Sequence, residues 1–178
     1  MPKYVALLRA INVGGHTVKM DHLRNLFEAA GLSNVETFIA SGNVIFDSRS
    51  KDTRALERKI EKHLQESLGY EVKTFLRNIA ELAAVANYKP FSDSELNTHA
   101  LLVGFLADRP TDQAIKKLLS FRSEIDELHV HGREVYWLCR TTRMSDSKFS
   151  GALAEKTLGI GATFRNSTTV KKIAVKYE

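Results

Sequence analysis

The chain has 178 residues and a mass of 20.0 kDa, and it is 43% hydrophobic and 26% charged, which is typical of a globular protein of one domain or two small ones. That apolar content argues against disorder, and the longest apolar run, residues 100–107, is too short to span a bilayer. We identify no signal peptide, and the single cysteine, Cys139, has no partner for an intramolecular disulfide. These features predict a cytoplasmic protein without membrane contact.

The positive charge is concentrated in the last third of the chain. Residues 1–128 carry 17 basic and 17 acidic side chains, whereas residues 129–178 carry nine basic and four acidic ones, which accounts for the net charge of +5. Such asymmetry favours an anionic partner, either a phosphate-bearing small molecule, a nucleic acid or an acidic protein surface. A basic surface that only keeps the protein soluble explains the same count.

The first half predicts strands and helices in the order βαββαβ. An apolar strand at 3–11 is followed by a helix that Asp21 caps and Gly31 ends. Strands at 35–40 and 44–47 flank a tight Ser41-Gly42-Asn43 turn, with Ile39 and Phe46 on one face of the sheet and Phe38 and Ile45 on the other. An amphipathic helix at 52–68 and a strand at 72–77 complete the unit.

The same order recurs after a short helix at 78–87 and an irregular stretch at 88–98. The second half predicts a strand at 99–106, a helix at 111–121, a hairpin of 126–131 with 134–139, a helix at 149–158, a strand at 162–165 and a last helix at 168–177. In that hairpin, His131 faces Glu134 and His129 faces Tyr136. The hairpin glycines Gly42 and Gly132 lie 90 positions apart.

These patterns predict an α+β fold of two duplicated ferredoxin-like halves with antiparallel sheets, closely packed on each other. The expected boundaries are 1–78 for the first half, 79–98 for the connection and 99–178 for the second half with its C-terminal helix. Apolar side chains on both faces of the strands imply that each half covers the other or that the chain forms a homodimer.

Two loops combine arginine side chains with backbone N–H donors, which is the combination that binds phosphate or carboxylate groups. The first loop contains Arg9, Asn12, Gly14 and Gly15, and a plain glycine turn is its simpler interpretation. The second contains the candidates Arg165, Asn166 and Thr169, beside which Ser167 or Thr168 caps the following helix. The two loops would form one cleft if they occupy equivalent places in the repeat or converge between the halves.

Ser41 and Asn43, at the tip of the first hairpin, are further ligand-binding candidates, although hairpin turns use these residue types anyway. Ser41 lies in no nucleophile elbow. His129, His131 and Glu134 have side chains that bind metals, but exposed strands often carry such residues, and we assign no metal and no cofactor. The sequence leaves open whether the protein is an enzyme.

Four segments together resemble a mainly bacterial family known as domain of unknown function 1697. They are YVALLRAINVGG at 4–15, SGNVIF at 41–46, EKTLG at 155–159 and TFRNSTTV at 163–170. Ala10 stands where the family often has glycine. The resemblance implies a duplicated α+β fold with two similar ferredoxin-like halves and implies no activity, cofactor or partner.

Three functions of different classes follow from the sequence. The favoured one is the binding of a small anionic ligand, such as a nucleotide or a phosphorylated metabolite, in a cleft formed by strand-end loops. The second is RNA or DNA binding through the basic C-terminal third, although the aromatic signature of RNA-binding ferredoxin-like sheets is absent. The third is a protein-interaction or dimer module without catalysis, so that the protein is a monomer or a homodimer.

Overall fold

The structure is a computed structural model that describes residues 1–9, 11, 15–39, 42–143 and 146–178. Within these residues the chain forms eight strands and seven α-helices, in an order that contains βαββαβ twice, as the sequence predicts. The first half comprises β1 (Lys3–Leu8), α1 (Met20–Ala29), β2 (Ser33–Thr37), β3 (Asn43–Asp47), α2 (Thr53–Leu68) and β4 (Thr74–Asn78). After α3 (Ile79–Asn87) and α4 (Asp93–Thr98), the second half comprises β5 (Ala100–Leu106), α5 (Asp112–Leu119), β6 (Asp126–His131), β7 (Glu134–Cys139), α6 (Gly151–Leu158), β8 (Ala162–Asn166) and α7 (Ser167–Tyr177).

Each half contains one four-stranded antiparallel sheet of the same topology. The strand orders are β2-β3-β1-β4 and β6-β7-β5-β8, so that the first strand of each half lies between its third and fourth strands. The chain divides into two units, Met1–Leu82 with Tyr177–Glu178, and Ala83–Lys176. This is the duplicated α+β architecture that the sequence predicts.

The core of the first unit lies between its sheet and its helices α1 and α2. Phe27 and Ile60 form one apolar cluster with Ala6 and Phe46, because alternate residues of each strand point to the same face. Val5, which points to the opposite face, is fully buried as well. The strands of this sheet are therefore apolar on both faces.

The core of the second unit combines apolar packing with one buried polar network. Leu118, Ala154 and Leu158 from the helices belong to the same cluster as Trp137. The Trp137 Nε1–H donates to the buried carboxylate of Asp126 at 2.8 Å. Ser147 Oγ lies 2.7 Å from each oxygen of that carboxylate. These bonds anchor the segment after β7 to the start of β6.

The first hairpin differs from the prediction in the length of its first strand. β2 ends at Thr37, which pairs with Val44, and the Phe38 N–H donates to the carbonyl of Asn43, so that Phe38 and Ile39 follow the strand instead of belonging to it. The connection between β2 and β3 is longer than the predicted turn, and Ile39 within it is exposed with a φ of 58°. A β-branched residue in the left-handed region is rare, which is why the sequence does not predict this loop. The second hairpin has the predicted pairs, His131 with Glu134 and His129 with Tyr136.

Two helices begin differently from the prediction. Asp21 does not cap α1, because the helix already begins at Met20 and Asp21 lies in its first turn. The stretch predicted to be irregular contains α4, whose first turn is capped by Ser92 through a hydrogen bond from the Glu95 N–H. A helix of six residues is too short for apolar periodicity to reveal it.

Gly104 of β5 packs directly against the Phe164 ring of β8, which predicts a steric test of this strand pair. A Cβ on Gly104 would lie 2.6 Å from Cε2 and Cζ of Phe164, so Gly104→Ala is expected to lower the free energy of unfolding by about 1–3 kcal/mol. Urea denaturation measures this loss. Adding Phe164→Leu should recover part of it, whereas a Gly104→Ala variant as stable as the wild type would contradict the packing.

Candidate functional site

A strand that ends in Arg-Asn and continues directly into a helix occurs once in each half. Arg77 and Asn78 end β4 before α3, and Arg165 and Asn166 end β8 before α7. Arg77 pairs with Val5 of the first strand in its sheet, and Arg165 pairs with Val103 of the corresponding strand. The two junctions are therefore structurally equivalent.

Both arginines are buried, with 1% of Arg77 and 8% of Arg165 exposed. In each case Nη1 donates to the carbonyl of the preceding residue, at 2.8 Å for Arg77 and 2.9 Å for Arg165. Arg165 Nη1 also donates to Thr163 Oγ1 at 2.8 Å. Burial lowers the pKa of Arg165 to about 10, so its guanidinium remains protonated at neutral pH just before the N-terminus of α7.

The two helices differ in how their N-termini are capped. At α3, Asn78 Oδ1 accepts from the Glu81 N–H and Glu81 Oε2 accepts from the Asn78 N–H, both at 2.8 Å, which forms a reciprocal capping box. At α7, Asn166 Oδ1 accepts from the Thr168 N–H at 3.0 Å, and the position that corresponds to Glu81 is Thr169. The first turn of α7 has no acidic residue. Its partial positive charge therefore lacks the carboxylate that Glu81 supplies at α3.

A cavity of about 190 Å³ lies beside the start of α7 in the second unit. Its apolar lining includes Leu101 and Val103 of β5. Ser167, the first residue of α7, also lines it, together with the exposed cationic side chains of Lys89 and Lys171. No acidic side chain is among the described residues that line this cavity, which we call the α7 cavity.

Tyr88, on the wall of the α7 cavity, is fixed by both histidines of the second hairpin. Its ring stacks on His131 with a centroid distance of 4.2 Å and packs against Tyr136 at 5.1 Å. Its hydroxyl lies 2.8 Å from His129 Nε2. Burial, and to a smaller degree the charge of His131, lowers the pKa of His129. No group of three His, Cys, Asp or Glu side chains in the described part of the chain is arranged to hold a metal ion.

The sequence-predicted site residues are distributed over both units. Arg165, Asn166 and Thr169 come together at the junction of β8 and α7. Asn43 is buried in the first unit, where its amide donates to the Phe38 carbonyl at 3.0 Å and so closes the hairpin. Gly15 is exposed with a φ of 83°. The candidates Asn12, Gly14 and Ser41 lie outside the described residues.

Arg9 and Arg165 do not occupy equivalent positions in the repeat. Arg9 is exposed after β1, and its backbone N–H donates to the Lys73 carbonyl at 2.9 Å. In the second half Ala107 takes the corresponding place, with its N–H 3.1 Å from the carbonyl of Gly161. The counterpart of Arg165 is Arg77, near the C-terminal end of β4, whereas Arg9 lies beside the residue that precedes β4.

The sequence interpretation missed Arg77 and the two residues Tyr88 and Lys89 that line the cavity. The signal for Arg77 was present, because TFLRN at 74–78 and ATFRN at 162–166 place the two Arg-Asn pairs 88 positions apart. Tyr88 and Lys89 fall in the stretch between the halves that the sequence left irregular, and only the tertiary structure shows that they line the cavity.

Residues 1–136 match the family described as protein of unknown function DUF1697. The chain belongs to this DUF1697 family. The motifs quoted above thus identified the family correctly. No curated protein is significantly similar in sequence. None of the helices in the described residues is both long enough and apolar enough to cross a membrane.

One solved structure is similar to this chain over nearly its whole length. It is described as the conserved bacterial protein SP0830 from Streptococcus pneumoniae and is 25% identical, with a TM-score of 0.77. The alignment covers 99% of this chain and 98% of that protein. The similarity therefore includes residues 137–178, where β8 and α7 lie beyond the family match.

The lowered pKa of His129 predicts how stability changes with pH. The pKa of His129 is lower in the folded chain than in the unfolded chain. Below about pH 6.5 His129 is therefore protonated to a greater extent in the unfolded chain, so the free energy of unfolding should fall as the pH drops. Urea unfolding from about pH 7.5 to about pH 5 measures the slope, which His129→Gln should reduce. His22→Gln, at an exposed position on α1, is the control. Identical slopes for the wild type and His129→Gln would contradict the assignment.

Proposed function

We propose that the protein binds a small phosphate- or carboxylate-bearing ligand in the α7 cavity. The observation that carries the proposal is the difference between the duplicated junctions. The α3 junction has a Glu81 carboxylate in its capping box, whereas the α7 junction has Thr169 in that position and a cavity with two lysines beside it. A helix N-terminus without an acidic residue in its first turn and ammonium groups both favour an anion.

Each residue of the α7 junction has a defined part in this proposal. Lys171 supplies charge on the wall together with Lys89, whose ammonium also pairs with Asp93 at 3.1 Å, and Ser167 at the start of α7 supplies polar groups for the anion. Asn166 caps the helix, and the buried charge of Arg165 raises the positive potential at its start. The first-unit candidates Arg9, Gly15 and Asn43 are not used.

The size and lining of the cavity restrict the ligand. A volume of about 190 Å³ is smaller than the roughly 300–1,000 Å³ of pockets that enclose a whole drug-sized molecule. The cavity therefore holds an anionic group and the few atoms next to it. The apolar side chains of Leu101, Val103 and Val170 favour a short hydrocarbon portion there. A nucleotide would place its ribose and base outside.

Nucleic-acid binding remains the second candidate function. Lys171 and Lys172 are exposed on α7, where they are available to contact phosphates. Base stacking on the sheet is disfavoured, since Tyr136 and Trp137 are only 1% and 4% exposed. Binding of a single-stranded oligonucleotide that weakens steeply between about 50 and 200 mM salt would support this candidate.

Thr169→Glu transfers the acidic position of the α3 capping box to α7 and tests the proposed anion site. Calorimetric titration with inorganic phosphate and with phenyl phosphate should show binding to the wild type, weakened about three- to tenfold in the variant by the added charge. The same substitution should raise the free energy of unfolding by roughly 0.5 kcal/mol, because the new carboxylate caps the helix. Lost affinity together with gained stability excludes misfolding as the cause.

Val175→Glu is the matched control, because it adds the same charge to α7 at a side chain that is 79% exposed and outside the cavity. It should leave the affinity for phosphate within about twofold of the wild-type value. If Thr169→Glu and Val175→Glu respond alike to both phosphates, or if the wild type binds neither, the proposal is wrong.

A further inference from the structure

We infer a second binding site in the second unit, for an organic amine with an aromatic or branched apolar body. It is a cavity of about 490 Å³ between the end of α5 and residues 146–148, and we call it the α5 cavity. It shares no lining residue with the α7 cavity. The inference does not depend on anion binding at α7.

Exposed apolar side chains first set this cavity apart from the rest of the surface. Phe121 and Ile125 line it and are 38% and 37% exposed. Only three other large hydrophobic side chains in the described residues are as exposed, namely Met1, Ile39 and Val175. Two of the five therefore contribute to one concave surface, which offers an apolar ligand both a ring face and a branched aliphatic side chain.

The negative charge around the α5 cavity favours a positively charged ligand. Glu124, Asp126 and Asp146 line it with one cation, Lys148, so the local charge is −2 in a chain of net charge +5. The exposed carboxylates of Glu124 and Asp146 are available to an ammonium group. An aromatic face such as that of Phe121 also attracts cations. A phosphate or carboxylate ligand would be repelled.

The loop that carries these groups is held in shape before any ligand binds. Ser123 Oγ accepts from the N–H groups of Ile125 and Asp126 at 3.2 and 3.1 Å, and the Ser123 N–H donates to the Asp126 carbonyl at 2.8 Å. The Arg140 N–H donates to the carbonyl of Ile125 at 2.8 Å. Because the wall is already ordered, a ligand loses less free energy to loop ordering on binding.

Asp126 lines the α5 cavity and is hydrogen-bonded to Trp137, whose indole N–H can therefore report on ligand binding. Its carboxylate is buried and accepts from Trp137 Nε1–H at 2.8 Å and from Ser147, so it shapes the cavity from below while Glu124 and Asp146 meet the ligand. Trp137 is the single tryptophan of the chain. Its indole N–H gives one resonance in a nitrogen–proton correlation spectrum, and an ammonium ion near Asp126 should shift that resonance.

A charge series of three similar probes tests the inference. Titration with 2-phenylethylamine should shift the Trp137 indole resonance and the backbone amides of residues 121–125 along one saturable curve. The neutral 2-phenylethanol should bind at least about threefold more weakly, and 3-phenylpropionate should not bind. Equal affinities for amine and alcohol, or no shift with the amine at its solubility limit, would overturn the inference.

The double variant Glu124→Gln/Asp146→Asn removes both exposed carboxylates and leaves Phe121 and Asp126 in place. It should reduce the affinity for the amine to that for the alcohol, while an unchanged free Trp137 resonance shows that the cavity is intact. Glu66→Gln, at an exposed position on α2, is the control and should bind the amine like the wild type. Full amine affinity in the double variant would contradict the proposed role of the carboxylates.

Discussion

The reciprocal hydrogen bonds between Asn78 and Glu81 give the clearest view of what differs between the two halves of this protein. They satisfy two backbone N–H groups at the start of α3 and place a carboxylate on its positive end. At α7 the asparagine is kept in Asn166, but the acidic position is occupied by Thr169. A helix of 11 residues thus begins without a carboxylate in its first turn, two residues after a buried guanidinium.

The features that the halves share are those that hold the last strand of each sheet in place. Glu61 Oε1 accepts from the Thr74 N–H at 3.0 Å, and Glu155 Oε1 accepts from the Ala162 N–H at 2.9 Å, so a helix side chain fixes the first residue of β4 and of β8. Each strand then leads to its buried arginine through the same pairing register. The scaffold is therefore duplicated, and at these two junctions the chemical difference lies in the residues that follow the Arg-Asn pair.

The sequence predicts the element order and the second hairpin because both depend on local signals. Gly132 fits a two-residue turn, which fixes the pairing of His131 with Glu134. The first hairpin was mispredicted because Ile39 adopts a left-handed conformation that its side chain disfavours. The sequence likewise predicts the start of a helix around Arg165, Asn166 and Thr169, but it does not predict the cavity beside them. Its wall needs Tyr88, which two histidines about 40 residues away hold in position.

The central claim, that the two helix N-termini differ in their affinity for anions, can be measured in one protein without any substitution. Backbone amide chemical shifts followed during titration with inorganic phosphate report on both junctions at once. The account predicts saturable shifts at the amides of residues 167–169 and no comparable shifts at residues 79–81. Equal responses at the two junctions, or no saturable response at residues 167–169, would contradict it.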